Sequence, residues 1–508
     1  MKTLALLAPL ASLAPLAVAA PETQGGWKPL VNPKALQKQI RLSDLLEGAK
    51  QLEDFAYAYP ERNRVFGGRA HNDTVNWLYR ELKRTGHYDV WKQPQTHLWS
   101  NAQQSLAANG EDFVASAMTY TPSTDVTAEL AVVDTLGCSA DAFPADVAGK
   151  VVLVQRGECT FGEKSVYAAQ AEAVGTIVYN NAPGSLSGTL GAAESELGPY
   201  SPIVGVDQEV GEALLALAAA GTVTVDLWID AQLENRTTFN VIAQTKTGDP
   251  NNVVSLGGHS DSVNAGPGIN DDGSGIISNL VIAKALTRFR TKHAVRFFFW
   301  TAEEFGLLGS DYYVSSLSPE ELAKIRLYLN FDMIASPNYA ILLYDGDGSA
   351  FNLTGPAGSD SIEKLFTDYF ADRGVGTVET AFDGRSDYEA FILNGVPAGG
   401  VFTGAEGVKT EEEAALFGGT AGISYDENYH QAGDNFTNLN HEAFLLNSKA
   451  TAFAVATYAN DLSTIPPREK VGAVKRAAHH KRAVFHKPGK RSPSHRHGTG
   501  CVHDQVAI

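Results

Sequence analysis

Apolar residues recur at helical spacing in two early stretches, "LSDLLEGAKQLEDFAYAY" (Leu42 to Tyr59) and "TVNWLYRELKRTG" (Thr74 to Gly86), the second ended by glycine. Both are predicted as helices with one face toward a core. From about Ala128 to Asp230 the texture changes to short apolar runs, "AELAVVD", "KVVLVQRG", "TIVYNN" and "TVTVDLWID", separated by alanine-rich helical stretches such as "SVYAAQAEAVG". This block reads as a small module of its own. After it come "TTFNVIAQTK", "NVVSLGG", the helix "SGIISNLVIAKALTRF", the strand "AVRFFFWTA", then "IRLYLNFDMIA", "YAILLYDG", "VPAGGVFTG" and a closing helix "EAFLLNSKATAFAVATYAND". Near-continuous apolar strands alternating with helices argue for an α/β fold, a mostly parallel mixed sheet covered by helices on both faces. In such sheets ligands bind beyond the carboxyl ends of the strands.

That rule gathers the candidate chemistry. The strand "VVSLGG" ends at His259, "RFFFWTA" at Glu303 and Glu304, and "LYLNF" at Asp332. The turn "GINDDGSG" adds Asp271, and "YHQAGDN" adds His430. Taken singly, each has a bland reading: an Asp-Asp-Gly turn is usually only a turn, and a Glu-Glu pair at a strand end is usually solvated. Glu303 and Glu304, however, directly follow the apolar run "RFFFW", where a buried charge is costly without a partner. Two histidines and four carboxylates at one sheet edge would repel as carboxylates alone, and a cation is the economical reason to gather them. Imidazole with carboxylate and no thiolate suits zinc in a catalytic site.

Composition narrows the setting. With 508 residues, 44% apolar and 19% charged, the chain has the balance of a globular protein and room for two domains. The opening "MKTLALLAPLASLAPLAVAA" has a lysine, a short apolar run and small residues, as a secretory signal does. Pro9 and Pro15 within the run make a spanning helix the weaker reading, and no later stretch approaches the ~20 apolar residues of a membrane span. An exported protein is therefore expected, with the vacuole as the alternative destination. Of three cysteines, Cys138 and Cys159 are positioned to close a short loop in an oxidising compartment, leaving Cys501 over. Sequons stand at Asn72, Asn235, Asn352 and Asn435. A net charge of −18 disfavours nucleic acid and anionic membrane as partners. Charge is uneven: from Arg468 to Ile508, ten Lys or Arg against two acids give +8, leaving −26 on the rest. With three dibasic pairs and six histidines, this end reads as a disordered tail open to processing, metal binding by its histidines being the alternative.

In succession, "GGHSDSVNAGPGINDDGSG", "WTAEEFGLLGS", "NFDMIASPN", "GRSDYEAF" and "YHQAGD" resemble the co-catalytic zinc aminopeptidases of peptidase family M28. From about Trp27 to the tail the chain is similar to the fungal secreted leucine aminopeptidases of that family, which carry an inserted protease-associated (PA) domain. "LVQRGECTFGEKSVYAAQAEAVGTIVYNN" resembles the core of that domain.

The resemblance implies two zinc ions per subunit. Asp271 would bridge them, His259 and Asp332 completing one ion's ligands and Glu304 and His430 the other's. Glu303 would be the general base, Asp261 would orient His259, and Tyr429 would hydrogen-bond the developing oxyanion. Glu303, Asp332 and the main chain near Arg385 would hold the substrate's α-amino group, and Met333 and Phe402 would shape a pocket for leucine-like residues. A cis peptide is implied between Asp271 and Asp272. One departure stands out: cysteines that flank the "YHQA" segment in some bacterial relatives are replaced by Asn428 and Gly433, which predicts a less rigid loop. The implied layout is a signal peptide at 1–19, an N-terminal part of the peptidase domain at 20–125 whose start is a candidate propeptide, the PA domain at 126–234, the peptidase domain with its dizinc site at 235–465, and the tail at 466–508. A monomer acting on peptide and protein N-termini is expected. Two other readings use the same scaffold, a carboxypeptidase and a receptor that has lost catalysis; the complete set of ligand positions and Glu303 speak against the second. The chain has neither G-x-S-x-G nor HExxH, which sets aside a serine hydrolase and a one-zinc endopeptidase.

Overall fold

The computed structural model describes residues 28–468 apart from 183 and 185. The segment expected to be a signal peptide, most of the basic tail and Cys501 lie outside them. Four parallel strands, Asp249–His259, His293–Trp300, Ile325–Phe331 and Ala398–Phe402, form the centre of a large mixed sheet. Leu342–Tyr344 runs antiparallel beyond Ala398–Phe402 and is followed by Val378–Thr380 at that edge.

Residue alternation explains how the sheet is covered on both faces. In the strand His293–Trp300, Phe297 and Phe299 enter one apolar layer while Phe298 and Trp300 enter the other. The first layer is roofed by the helices Leu42–Tyr57, Arg69–Arg84, Gly273–Leu286 and His441–Tyr458. The second packs against Leu308–Ser316 and Tyr388–Leu393. Helix Gly273–Leu286 is buried on almost every side, which accounts for a sequence apolar all round rather than along one stripe.

The smaller module is built on the parallel strands Thr124–Val132, Val151–Gln155, Gly175–Tyr179 and Ile203–Val206, with helices Phe161–Gln170 and Gln208–Ala220. Cys138 and Cys159 form a disulfide within it. The runs "TVTVDLWID" and "TTFNVIAQTK", read as separate strands, are one strand, Thr224–Thr245. It pairs along its whole length with Tyr88–Ala108, a strand the apolar pattern did not reveal. One end of this ribbon joins the large sheet through His293–Trp300, and the other joins the small module through Thr124–Val132. Its middle is exposed and polar and contains Pro94, so alternation is weak there. Among the described residues, no helix is long and apolar enough to cross a membrane.

Candidate active site and metal centre

The parallel strands deliver their carboxyl ends to one edge, and the predicted residues meet there. His259 closes the strand Asp249–His259, Glu303 and Glu304 follow His293–Trp300, and Asp332 follows Ile325–Phe331. Asp271 sits on the turn before helix Gly273–Leu286, and the peptide joining it to Asp272 is cis. Its carboxylate divides the site in two. Oδ1 lies 3.1 Å from His259 Nε2, which is in turn 3.6 Å from Asp332 Oδ1. Oδ2 lies 3.1 Å from His430 Nε2, which is 2.9 Å from Glu304 Oε2. Glu303 Oε2 stands 3.7 Å from His259 Nε2, and Asp261 Oδ1 faces the other ring nitrogen at 3.6 Å.

Burial makes this charge arrangement demanding. Burial pushes the Glu303 carboxyl well above the usual range, Asp332 and Glu304 adding to the rise against the pull of His259. Glu304 is pushed up to about 7 by burial and by Asp271. Burial alone would lower His430, but Glu304 and Asp271 raise it to about 10. His259 is likewise raised, Glu303 and Asp332 outweighing burial, whereas Asp271 is held below the carboxylate range by the two imidazoles despite its burial. The cluster therefore calls for positive charge. Glu304 Oε1 and Asp332 Oδ1 are buried without a hydrogen-bond partner, as expected of oxygens that complete a cation's shell. The donor set, imidazole and carboxylate without sulfur, fits zinc.

Asp272 also lies close to His259 and Asp332. Its oxygens are already used: Oδ2 accepts the His259 N–H at 3.0 Å, and Oδ1 accepts those of Gly275 and Met333 at 2.8 and 3.2 Å. The second aspartate of the turn therefore ties three backbone segments together and caps the helix. The glycines are needed for this approach: a Cβ on Gly258 would stand 2.2 Å from Asp272 Oδ2, and one on Gly275 would stand 1.9 Å from Phe331 O.

Several other supports escaped the sequence reading. Asp434 accepts the N–H groups of Asn270 and Asp271, and Ser386 donates to Asp332 Oδ2 at 2.6 Å. Asp426 accepts from Asn270 Nδ2, from Asn438 Nδ2 and from the Asn428 N–H. Asn428 Nδ2 donates to Asn438 Oδ1 at 2.7 Å. The loop expected to be less rigid is thus tied by asparagines and aspartates where the bacterial relatives were read as having a disulfide. Of these supports, Asp434 is the one acid of "YHQAGD".

The cluster opens onto a cleft whose walls include Met333, Tyr344, Tyr388, Phe402, Arg385 and Tyr429. Arg385 pairs with Glu406 at 2.8 Å and donates to the Tyr429 phenol at 3.4 Å. The Tyr429 ring stacks on His430 with centroids 3.9 Å apart. Every predicted metal-ligating, catalytic and pocket residue thus stands in or around one cleft.

Residues 240–455 match the model of peptidase family M28, and residues 126–214 match the PA domain. The chain is 67% identical to the probable leucine aminopeptidase 2 of Aspergillus oryzae, over 94% of this chain and 96% of that protein. It is 66% identical to the probable leucine aminopeptidase 2 of Aspergillus fumigatus, over 94% and 95% of the two chains. Among solved structures it resembles an aminopeptidase from Aneurinibacillus sp. strain AM-1, with a TM-score of 0.66 and 28% identity over 84% of this chain and 95% of that one. With these matches beside the geometry of the site, the chain belongs to peptidase family M28 and carries a PA domain.

Proposed function

We propose that the chain is a secreted aminopeptidase that binds two zinc ions and removes leucine-like residues from the N-termini of peptides and proteins. The observation that carries this reading is the division of the Asp271 carboxylate between two imidazole–carboxylate pairs at the floor of a cleft. His259 and Asp332 would hold one ion, Glu304 and His430 the other, and Asp271 both. Zinc in such a pair supplies Lewis acidity toward a carbonyl and makes a neighbouring water easier to deprotonate.

The remaining work belongs to the chain's own groups. Glu303 takes the proton from the attacking water and returns it to the departing amine. Tyr429 donates to the oxygen on which negative charge develops. Glu303 and Asp332, with the main chain at Arg385, receive the substrate's α-ammonium group, so a blocked amine is refused. Asp261, facing the other nitrogen of the His259 ring at 3.6 Å, would set its tautomer and direction. Met333 and Phe402 give the cleft an apolar side suited to a branched aliphatic residue.

The test uses leucyl-p-nitroanilide beside its N-acetylated form. Only the free amine is expected to be cleaved, activity is lost on chelation, and two zinc ions per chain restore it. Equal cleavage of the blocked substrate would overturn the exopeptidase reading, and full recovery with one ion would overturn the metal count.

Secretion leads to a second expectation. Asn235 and Asn352 are exposed, whereas Asn72 lies within helix Arg69–Arg84 and its amide nitrogen donates to Gly67 O at 3.0 Å. A glycan on that nitrogen would break the bond and crowd the helix start. Mass spectrometry of glycopeptides from the secreted protein should find Asn235 and Asn352 modified and Asn72 bare; a glycan at Asn72 would contradict the inward placement of its amide.

A further inference from the structure

We infer that Trp99, on the ribbon linking the PA module to the peptidase sheet, is a positioning residue for Glu303; this rests on the aminopeptidase reading above. Trp99 is 6% exposed although the ribbon around it is open to solvent. It packs in a small apolar cluster of its own with Val65, Phe66 and Ala302, against which Phe305 and Leu308 also lie. Ala302 is the residue before Glu303, and Phe305 follows Glu304. The cluster therefore sits directly beneath the loop that carries both glutamates.

That loop depends on outside support. Ala302 and Leu307 are held at φ of 55° and 59°, left-handed values that a non-glycine residue adopts only when its surroundings enforce them. Internally the loop is closed by Gly306 N–H and Leu307 N–H to Glu303 O and by Leu308 N–H to Ala302 O, at 3.0, 2.8 and 3.1 Å. None of these bonds fixes the loop relative to the sheet edge. The Glu303 N–H does so at one point, to Asp261 Oδ1 at 3.2 Å, and the apolar cluster does so from beneath, because Phe66 meets Phe305 edge-on with centroids 4.8 Å apart and also contacts His97, which shares a strand face with Trp99.

The indole is itself clamped from the partner strand. The Arg236 guanidinium stands 3.3 Å from the Trp99 ring centroid, and Glu234 pairs with that guanidinium. The fit is close: a Cβ on Gly67 would lie 2.7 Å from Arg236 Cβ. The sequence 65–67, the ribbon and the Glu303 loop thus form one packed unit, through which the ribbon's placement reaches the catalytic base.

The test compares Trp99→Ala, Trp99→Phe and Arg236→Ala with Leu106→Ala, which opens a core position farther along the same strand, away from the loop. Wild-type cleavage of leucyl-p-nitroanilide first settles whether the aminopeptidase reading stands, independently of any variant. Per zinc-loaded chain, Trp99→Ala should lower kcat by about tenfold or more with KM within about twofold, since a displacement of about 1 Å at a reacting group is that costly. Trp99→Phe should recover most of the loss, and Arg236→Ala should show a smaller loss of the same kind. In the metal-free proteins, amide exchange of residues 302–308 should quicken in Trp99→Ala and not in Leu106→Ala. If Trp99→Ala does not fold, Arg236→Ala carries the same two readouts. An unchanged kcat with unchanged exchange, or an equal kcat loss in Leu106→Ala, overturns the proposal.

Discussion

Replacing Glu303 by alanine is expected to lower kcat by ~10²–10⁴-fold while the protein keeps its zinc. The residue is 3% exposed, and its carboxylate faces His259 at 3.7 Å from within the cleft wall. It is nevertheless not one of the pairs that divide Asp271 between them; those are formed with Asp332 and Glu304. Its backbone N–H is held by Asp261 Oδ1 at 3.2 Å, the carboxylate that also faces the His259 ring, so base and ligand share one support. Glu303→Gln keeps the shape and removes only the ability to accept a proton, and its loss should match that of alanine. Glu304→Ala should behave differently: with the partner 2.9 Å from His430 gone, zinc and activity fall together. Steady-state kinetics on leucyl-p-nitroanilide with zinc counted by mass spectrometry separate the two patterns. Loss of zinc from Glu303→Ala would make Glu303 a ligand, and near-normal kcat would move the base elsewhere.

Much of this site was legible because parallel sheets announce their functional edge. Apolar runs ending at His259, at Glu303 and Glu304 and at Asp332 are local signals, and the fold's rule for its carboxyl edge gathers them. The turn at Asp271 and the histidine at 430 became specific through the order of motifs, which the match over residues 240–455 bears out at the level of the family. What stayed hidden acts through backbone or across long separations. Asp272 looks like a twin of Asp271 in sequence and differs only in what its oxygens meet, three N–H groups instead of two imidazoles. Asp426 and Asp434 hold a turn more than 150 positions away, a relation no local pattern carries. The ribbon strand Tyr88–Ala108 was missed for another reason: a two-stranded bridge between modules buries little on either side, and the period-2 alternation that marks a strand fades with the burial that produces it.

The same distinction leads to the largest stability effect, which falls on a residue that no motif contains. Arg64→Met is expected to destabilise the protein by about 3–5 kcal/mol, the range for removing one member of a buried charge network. Arg64 is fully buried, and its guanidinium donates to Pro267 O at 2.8 Å, to Gly268 O at 2.5 Å and to Ser260 O, while its own N–H reaches Ser262 Oγ at 2.8 Å. It staples the segment just after His259 to the segment just before Asp271. Burial pulls its pKa down, and the acids Asp261, Asp434, Asp272 and Asp271 oppose that pull and keep the charge in place. Methionine fills similar space but takes the guanidinium donors from Ser260 O and Pro267 O, leaves Gly268 O with the Gly273 N–H alone, and leaves those acids without their counter-charge. Lysine should restore little, because one ammonium group cannot span the fork that a planar guanidinium makes. Both predicted ligands on the stapled segments lose their placement, so zinc affinity should fall ~10–100-fold, as when an outer support of a metal ligand is removed. At saturating zinc that shrinks the metal's own stabilisation by ~1.4–2.7 kcal/mol, over and above the loss seen without metal. Denaturant unfolding of wild type and variant, each with and without zinc, reads the two losses separately. A variant that is less stable without metal yet gains as much from zinc as the wild type would reduce Arg64 to a structural staple, and one that unfolds like wild type in both states would show that the carbonyls find other donors.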